Sequence, residues 1–252
     1  MRLEELDRWM RDLLSPEACA AADRALNGLQ VGRSGEELNR VAFAVDACLE
    51  TIERAARWKA SLLFVHHGLF WGVPLAVTGI HYRRLRALLE ADCALYAMHL
   101  PLDVHPEVGN NAALAHRLGL GELEPFGEYR GLRIGWKGLL PEARTLEELT
   151  RLAFGGSEGL QVLPFGPEEI RTIGVVSGGA AAEALQAIDE RLDLFITGDA
   201  DHTVYHHCLE GRINVVFGGH YRTEVGGVRL LSERVARETD LETQFVDVPT
   251  GL

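Results

Sequence analysis

Two histidines stand side by side at the end of an apolar run, Ser61-Leu62-Leu63-Phe64-Val65-His66-His67, with Gly68, Phe70 and Trp71 just beyond. Asp103 follows His99 by four positions, and Glu224 follows His220 by the same interval. Imidazole with carboxylate is the ligand mixture of zinc, manganese, iron and similar divalent ions. Neighbouring residues of an extended segment point in opposite directions. His66 and His67 therefore suit two nearby ligands better than one shared ligand. With a carboxylate as bridge, they would build a dinuclear centre, whose ions sit about 3.5–4 Å apart and activate a water between them. Glu224, read as the start of a helix, can share a face with His220. The expected ligands are His66, His67, Asp103, His220 and Glu224. His99 is favoured as a residue that orients a ligand, though it could itself be one. Asp46, at the end of an earlier apolar run, is read as a helix cap.

Two rival clusters are weaker. His202 and His206 are spaced for one helical face, with His207 adjacent, but the glutamate of a HExxH motif is missing. A solvated or orienting role suits them better. Ser177-Gly178-Gly179 could seat an anion before a helix, yet it has no P-loop lysine, and a plain strand-to-helix turn is favoured.

These residues need elements to position them. An apolar run without helical spacing, such as Leu62–Val65, reads as a strand buried on both faces. Open sheets of such strands carry their chemistry beyond the strands' carboxyl ends. Residues 2–14 read as an amphipathic helix, and a second helical piece ends near Asn27-Gly28. Strands are expected at Val41–Val45 and Ala94–Met98, with helices at Ala47–Lys59 and His81–Ala91. Asn110 and Asn111 are expected to cap the helix that runs to Leu118.

From 121 to 170 the texture turns rich in Glu, Gly and Pro, with strand-like pieces such as Leu132–Trp136. The early pattern then returns. Strands are expected at Ile173–Val176, Leu192–Ile196, Ile213–Phe217 and Thr243–Val248, and helices at Ala180–Arg191, Ala200–Leu209 and Glu224–Glu238. The halves read as an internal repeat. His66-His67 falls over Gly198-Asp199, and His99-x-x-x-Asp103 over His220-x-x-x-Glu224. The expected architecture is α/β, with two intertwined, internally duplicated domains. Residues 1–122 and 210–252 would form a discontinuous metal-binding domain, and 123–209 an inserted second one.

The 252 residues suffice for a sizeable core in one or two domains. No apolar run approaches the roughly 20 residues of a membrane span, and the charged, amphipathic N-terminal stretch has no signal-peptide core. Cys19, Cys48, Cys93 and Cys208 are scattered without a CxxC pair, which points to reduced thiols in a cytoplasm. The net charge of −12 disfavours extended nucleic-acid binding. Arg83, Arg84 and Arg86 are read as the solvated face of a helix rather than a phosphate site.

Taken together, the chain resembles the family of GTP cyclohydrolase I type 2 homologues, also called NGG-interacting-factor-three-like proteins. The resemblance runs almost from end to end. It is carried by Asn27-Gly28-Leu29-Gln30-Val31-Gly32, Val65-His66-His67-Gly68-Leu69-Phe70-Trp71, His99-Leu100-Pro101-Leu102-Asp103 and Gly109-Asn110-Asn111. Further on come Gly178-Gly179-Ala180, Thr197-Gly198-Asp199 and Gly219-His220-Tyr221-Arg222-Thr223-Glu224. It implies two intertwined α/β domains, a dinuclear site held by the five ligands named above, and a homohexameric ring with the metal sites facing an inner cavity. Two departures are visible. Asp199 stands where the family usually has glutamate, and His105-Pro106-Glu107-Val108 replaces a more glycine-rich approach to the Gly109-Asn110-Asn111 turn.

The first functional expectation is a metal-dependent hydrolase with two divalent ions per chain (zinc, iron or manganese) acting on a nucleotide or another phosphate compound. A small anionic substrate fits such a centre, since a bound ion is the largest local charge. The alternative is a non-catalytic metal-binding or regulatory scaffold for a protein or single-stranded nucleic acid. No nucleophile triad, cofactor fingerprint or substrate clamp is legible.

Overall fold

The computed structural model describes residues 1–252. The chain opens with helix α1 (Leu3–Leu14), whose Leu6, Met10 and Leu14 recur at helical spacing and are buried. After a 3-10 turn come β1 (Gly28–Val31), β2 (Arg40–Asp46), α2 (Leu49–Arg57), β3 (Leu62–His67), α3 (Gly79–Glu90), β4 (Ala94–Ala97) and the short α4 (Leu100–Val104). There follow α5 (Asn110–Leu118), β5 (Gly121–Tyr129), β6 (Leu132–Arg144), α6 (Leu146–Phe154) and β7 (Gln161–Pro164). The last third contains β8 (Ile170–Val175), α7 (Ala184–Asp189), β9 (Leu194–Thr197), α8 (Tyr205–Gly211), β10 (Asn214–Phe217), α9 (His220–Glu238) and β11 (Glu242–Phe245).

Two α/β units result. Unit 1 comprises Met1–Leu102 and Val228–Val248, and unit 2 comprises Asp103–Gly227 and Pro249–Leu252. The chain passes between them inside α4 and again inside α9, so the units are intertwined in sequence. Unit 1 holds a five-stranded sheet ordered β1-β4-β3-β2-β11. Its strands are parallel except β1, which runs antiparallel to β4. Ala42, Ala44, Leu63, Val65, Leu95 and Ala97 pack one face of it against Ile52, Ala55 and Leu88. On the other face Phe43, Phe64 and Tyr96 form an aromatic row, with centroids 5.2 and 6.2 Å apart. Burial on both faces explains why β2 and β3 read as unbroken apolar runs.

Unit 2 holds a six-stranded sheet ordered β5-β6-β8-β9-β10-β7, in which β8, β9 and β10 are parallel. Ile173, Val175, Leu194, Ile196 and Val216 bury against Leu114, Ala115, Leu118, Leu149 and Ala153. Helix α6 opens on a reciprocal cap, Glu148 N donating to Thr145 Oγ1 and Thr145 N to Glu148 Oε2.

The units divide at different places from those expected on composition. Helix α5 packs on β6 and belongs to unit 2, although it precedes the change of texture at Gly119. Strand β10 pairs with β9 and β7 and also belongs there. The Glu/Gly/Pro-rich texture marks the half-exposed edge hairpin β5–β6, not a boundary. Other expectations shift locally. The alanine-rich stretch 180–191 is a 3-10 turn, Ala181–Glu183, followed by the short α7. Gly28–Val31, expected to follow a helix end, is itself a strand.

The sheet registers refine the repeat. Val41, Leu62 and Ala94 are paired across β2-β3-β4, as Ile173, Leu194 and Asn214 are across β8-β9-β10. Superposing these rows places His67 over Asp199, as expected. It places Leu100 over His220, each the first residue of its helix. His99 then lies over Gly219 and Asp103 over Thr223, one position away from the expected match.

Candidate metal centre

In unit 1, β3 delivers His66 and His67 to its carboxyl end. His66 is fully buried, and its Nδ1 lies 3.0 Å from the Met98 carbonyl oxygen. A carbonyl only accepts, so this nitrogen carries the proton and His66 presents Nε2. His67 Nδ1 lies 2.8 Å from Asp46 Oδ1, the residue paired with it on the neighbouring strand β2. His99, just beyond β4, has Nδ1 2.9 Å from Asp23 Oδ1. Asp23 is an almost wholly enclosed carboxylate that also accepts from Ala25 N, Asn27 Nδ2 and Leu100 N. Burial alone would push its pKa up; the bonds from His99 and Asn27 outweigh this and hold it at about 2.

The three rings lie together, with centroids 4.5 Å apart for His66 and His67, 5.0 Å for His66 and His99, and 5.6 Å for His67 and His99. One nitrogen from each falls within 4.8 Å of the others, close enough for the three to form a group that could hold an ion. Trp71 meets His99 edge-on at 5.0 Å and donates Nε1–H to the Gly68 carbonyl. A Cβ on Gly68 would fall 2.4 Å from the Gln30 amide, whose Oε1 accepts Leu69 N. A side chain at Gly68 would therefore push the Gln30 amide aside.

In unit 2 the helix α9 begins at His220, four residues earlier than expected, so His220 and Glu224 lie one turn apart on one face. His220 Nε2 is 3.3 Å from Glu224 Oε1, and its Nδ1 is 2.7 Å from Asp199 Oδ2. The Glu224 bond, with Asp199 behind it, outweighs burial and raises the His220 pKa to about 9. Glu224 and Asp103 are both buried. Asp103 Oδ1 accepts from Asn110 Nδ2 and Ser177 Oγ. The Ser177-Gly178-Gly179 turn is more than a plain connection. Gly178 has φ +68°, and a Cβ there would stand 2.5 Å from Glu224 Oε1. Its N–H donates to Thr223 Oγ1, and its carbonyl receives the N–H groups of Gly198 and Asp199.

The donor set fits a divalent transition ion. A metal-binding histidine normally donates its second ring N–H to a carboxylate or a carbonyl, which fixes tautomer and ring. His66, His67 and His220 each have Nδ1 on such an oxygen, as does His99. His99 therefore sits as a possible ligand would, beside the residues it was expected to orient. Asp46 is not the cap it was read as: the N-cap of α2 is Cys48, and Asp46 orients His67. Asn110 and Asn111 are not caps either; Gly109 holds that position, and both amides are buried in the hydrogen bonds of unit 2. His202, His206 and His207 are exposed, split between a 3-10 turn and α8, and belong to no three-ligand group.

Asp23 and the structural role of Ser177 were not legible. A signal for the two orienting carboxylates did exist. Asp46 and Asp199 each stand 21 residues before the imidazole they hold, an equal spacing in both units.

No helix is long and apolar enough to cross a membrane. Residues 1–250 match the family model described as Duf34/NIF3 (NGG1p interacting factor 3). Among curated proteins named GTP cyclohydrolase 1 type 2 homolog, that of Treponema pallidum is 42% identical over the whole of both chains. That of Halobacterium salinarum is 46% identical over 92% of each. Among solved structures, TTHA1606 from Thermus thermophilus is 36% identical and covers all of both chains with a TM-score of 0.90. A match of this length and identity, on a chain whose strand ends carry these histidines and carboxylates, settles its relationship: the chain belongs to the Duf34/NIF3 (NGG1p interacting factor 3) family.

Proposed function

We propose that this protein is a metal-dependent hydrolase in which His66, His67, Asp103, His220 and Glu224 are the ligands of two divalent ions of the zinc, iron or manganese type. Glu224 would help to hold both ions in this reading. The observation that carries it is the common fixing of the imidazoles: Nδ1 is committed to Met98, Asp46 or Asp199, which leaves Nε2 as the coordinating nitrogen. Divalent ions held there would supply Lewis acidity and lower the pKa of a water. The chain's own residues do the rest. Asp46 and Asp199 keep their imidazoles aligned, and Asp23 keeps a proton on His99 Nδ1 so that its other nitrogen faces the same ring cluster.

Two divalent ions bring about +4 and the two carboxylates return −2, which favours an anionic substrate despite the acidic total. A nucleotide or other phosphate compound fits this charge, and the name of the relatives, GTP cyclohydrolase 1 type 2 homolog, agrees with a nucleotide. Val73, Val77, Ile80, Tyr82 and Leu89 are exposed apolar side chains of α3 and the loop before it, and assembly into the homohexameric ring would give such side chains a partner. Four free thiols suit a cytoplasmic location.

The test is a broad hydrolase screen on metal-loaded protein beside its His67→Ala variant. Turnover lost together with metal supports the enzyme. Stoichiometric metal without turnover on any substrate favours the non-catalytic scaffold.

A further inference from the structure

Two donors of unit 2 converge on a single oxygen of Asp103. Asn110 Nδ2 lies 2.9 Å and Ser177 Oγ 3.1 Å from Oδ1. A carboxylate oxygen offers about two lone-pair sites, so these donors saturate Oδ1. The orientation of the amides is dictated by their other partners. Gly227 N donates to Asn110 Oδ1 at 2.9 Å, which turns the Asn110 NH2 toward Asp103. Ser177 N donates to Asn111 Oδ1 at 2.6 Å, and Asn111 Nδ2 reaches the carbonyls of Asp103 (3.2 Å) and Ile134 (2.7 Å). A backbone N–H can only donate, so neither amide can be flipped. All four side chains are at least nine-tenths buried. The adjacent asparagines thus tie Asp103, at side chain and main chain, to β6, to the end of β8 and to α9.

We infer that Asn110 and Ser177 are positioning residues that hold Asp103 to ligation through Oδ2 alone, one oxygen to one ion. This rests on the metal reading above. A carboxylate pinned in this way suits ions of low coordination number, whereas larger ions such as calcium accept bidentate carboxylates. Asn111 sets the backbone of both the ligand and the hydroxyl donor. The adjacent asparagines and the serine, far apart in sequence, are one device for selecting how a single aspartate binds.

The experiment compares the parent with Ser177→Ala, Ser177→Thr and Asp103→Asn. Zinc affinity is measured by competition with a chelator, and the absorption spectrum of the cobalt(II)-loaded protein reports coordination. Ser177→Ala should weaken one ion by about tenfold, the scale of lost orienting bonds, and should shift the cobalt spectrum. Ser177→Thr, which keeps the hydroxyl, should restore both, and Asp103→Asn should lose the same ion. A purely structural serine would lower the melting temperature of the metal-free chain without moving the cobalt spectrum. Ser177→Ala with the parent's affinity and spectrum would overturn the inference while leaving the metal centre standing. A parent that takes up no metal, or an Asp103→Asn variant that binds both ions as the parent does, would overturn the metal reading and the inference with it.

Discussion

Replacing Asp23 by asparagine changes one atom in a carboxylate that receives four hydrogen bonds. Ala25 N and His99 Nδ1 point at Oδ1, and Asn27 Nδ2 and Leu100 N at Oδ2. An amide presents one acceptor oxygen, so its NH2 must face two donors. Leaving such buried donors without a partner costs about 1–3 kcal/mol. The ionisation adds a pH-dependent part. Against the ordinary value of 3.8, the folded carboxyl titrates at about 2. At about 1.4 kcal/mol per unit, this contributes about 2 kcal/mol of stability. The folded value is depressed, so that stability is fully present above the unfolded value of 3.8 and is lost as pH falls toward 2. About half should be gone by pH 3. The assay is urea unfolding of the chelator-treated protein, followed by tryptophan fluorescence from pH 7 down to pH 3, for the parent and Asp23→Asn. The variant should be weaker at neutral pH, and the gap should narrow by about 1 kcal/mol at pH 3. A gap that stays constant over this range would refute the reasoning that Asp23 is held ionised by these donors.

Asp46→Asn should lower metal affinity by about ten- to a hundredfold through loss of the carboxylate behind His67; chelator competition measures it, and unchanged affinity would contradict the orienting role of Asp46. Gly178→Ala should destabilise the fold by about 1–3 kcal/mol, because a side chain at positive φ is strained and its Cβ would press on Glu224; a thermal melt at the parent's temperature would contradict this. The metal-free protein should lose stability as pH rises. The His220 pKa is raised from 6.5 to about 9, so its contribution is complete below 6.5 and fades through about 9. Thermal unfolding across that range reads it, and Glu224→Gln should flatten the profile; a flat profile in the parent would contradict the raised value.

Much of this was legible from residue types alone. The strands that bear His66 and His67 and lead to His99 are apolar runs buried on both faces, and such runs leave a strong local signature. The paired carboxylates at His-x-x-x-acid spacing mark their own helix turns. What could not be read was set by pairing across the sheets. Asp46 looks like a helix cap because caps are common after strands; the register of β2 against β3 shows that it faces His67, and the equal 21-residue spacing to the imidazole was its one sequence signal. The one-residue displacement of the repeat likewise depends on which residues of β10 and β9 are partners. Asn110 and Asn111, at the start of a helix, satisfy every local expectation of a cap. Their burial and their distant partners are tertiary facts. The unit boundaries were obscured because an exposed edge hairpin has the composition of a linker.

The most direct test of the metal centre is elemental analysis of the gently purified chain, repeated after loading with zinc, manganese or iron. About two transition-metal ions per chain are expected, since five imidazole and carboxylate ligands exceed what one tetrahedral site requires. A reproducible value near one that added metal does not raise would contradict the dinuclear centre. No metal after loading would contradict the centre altogether.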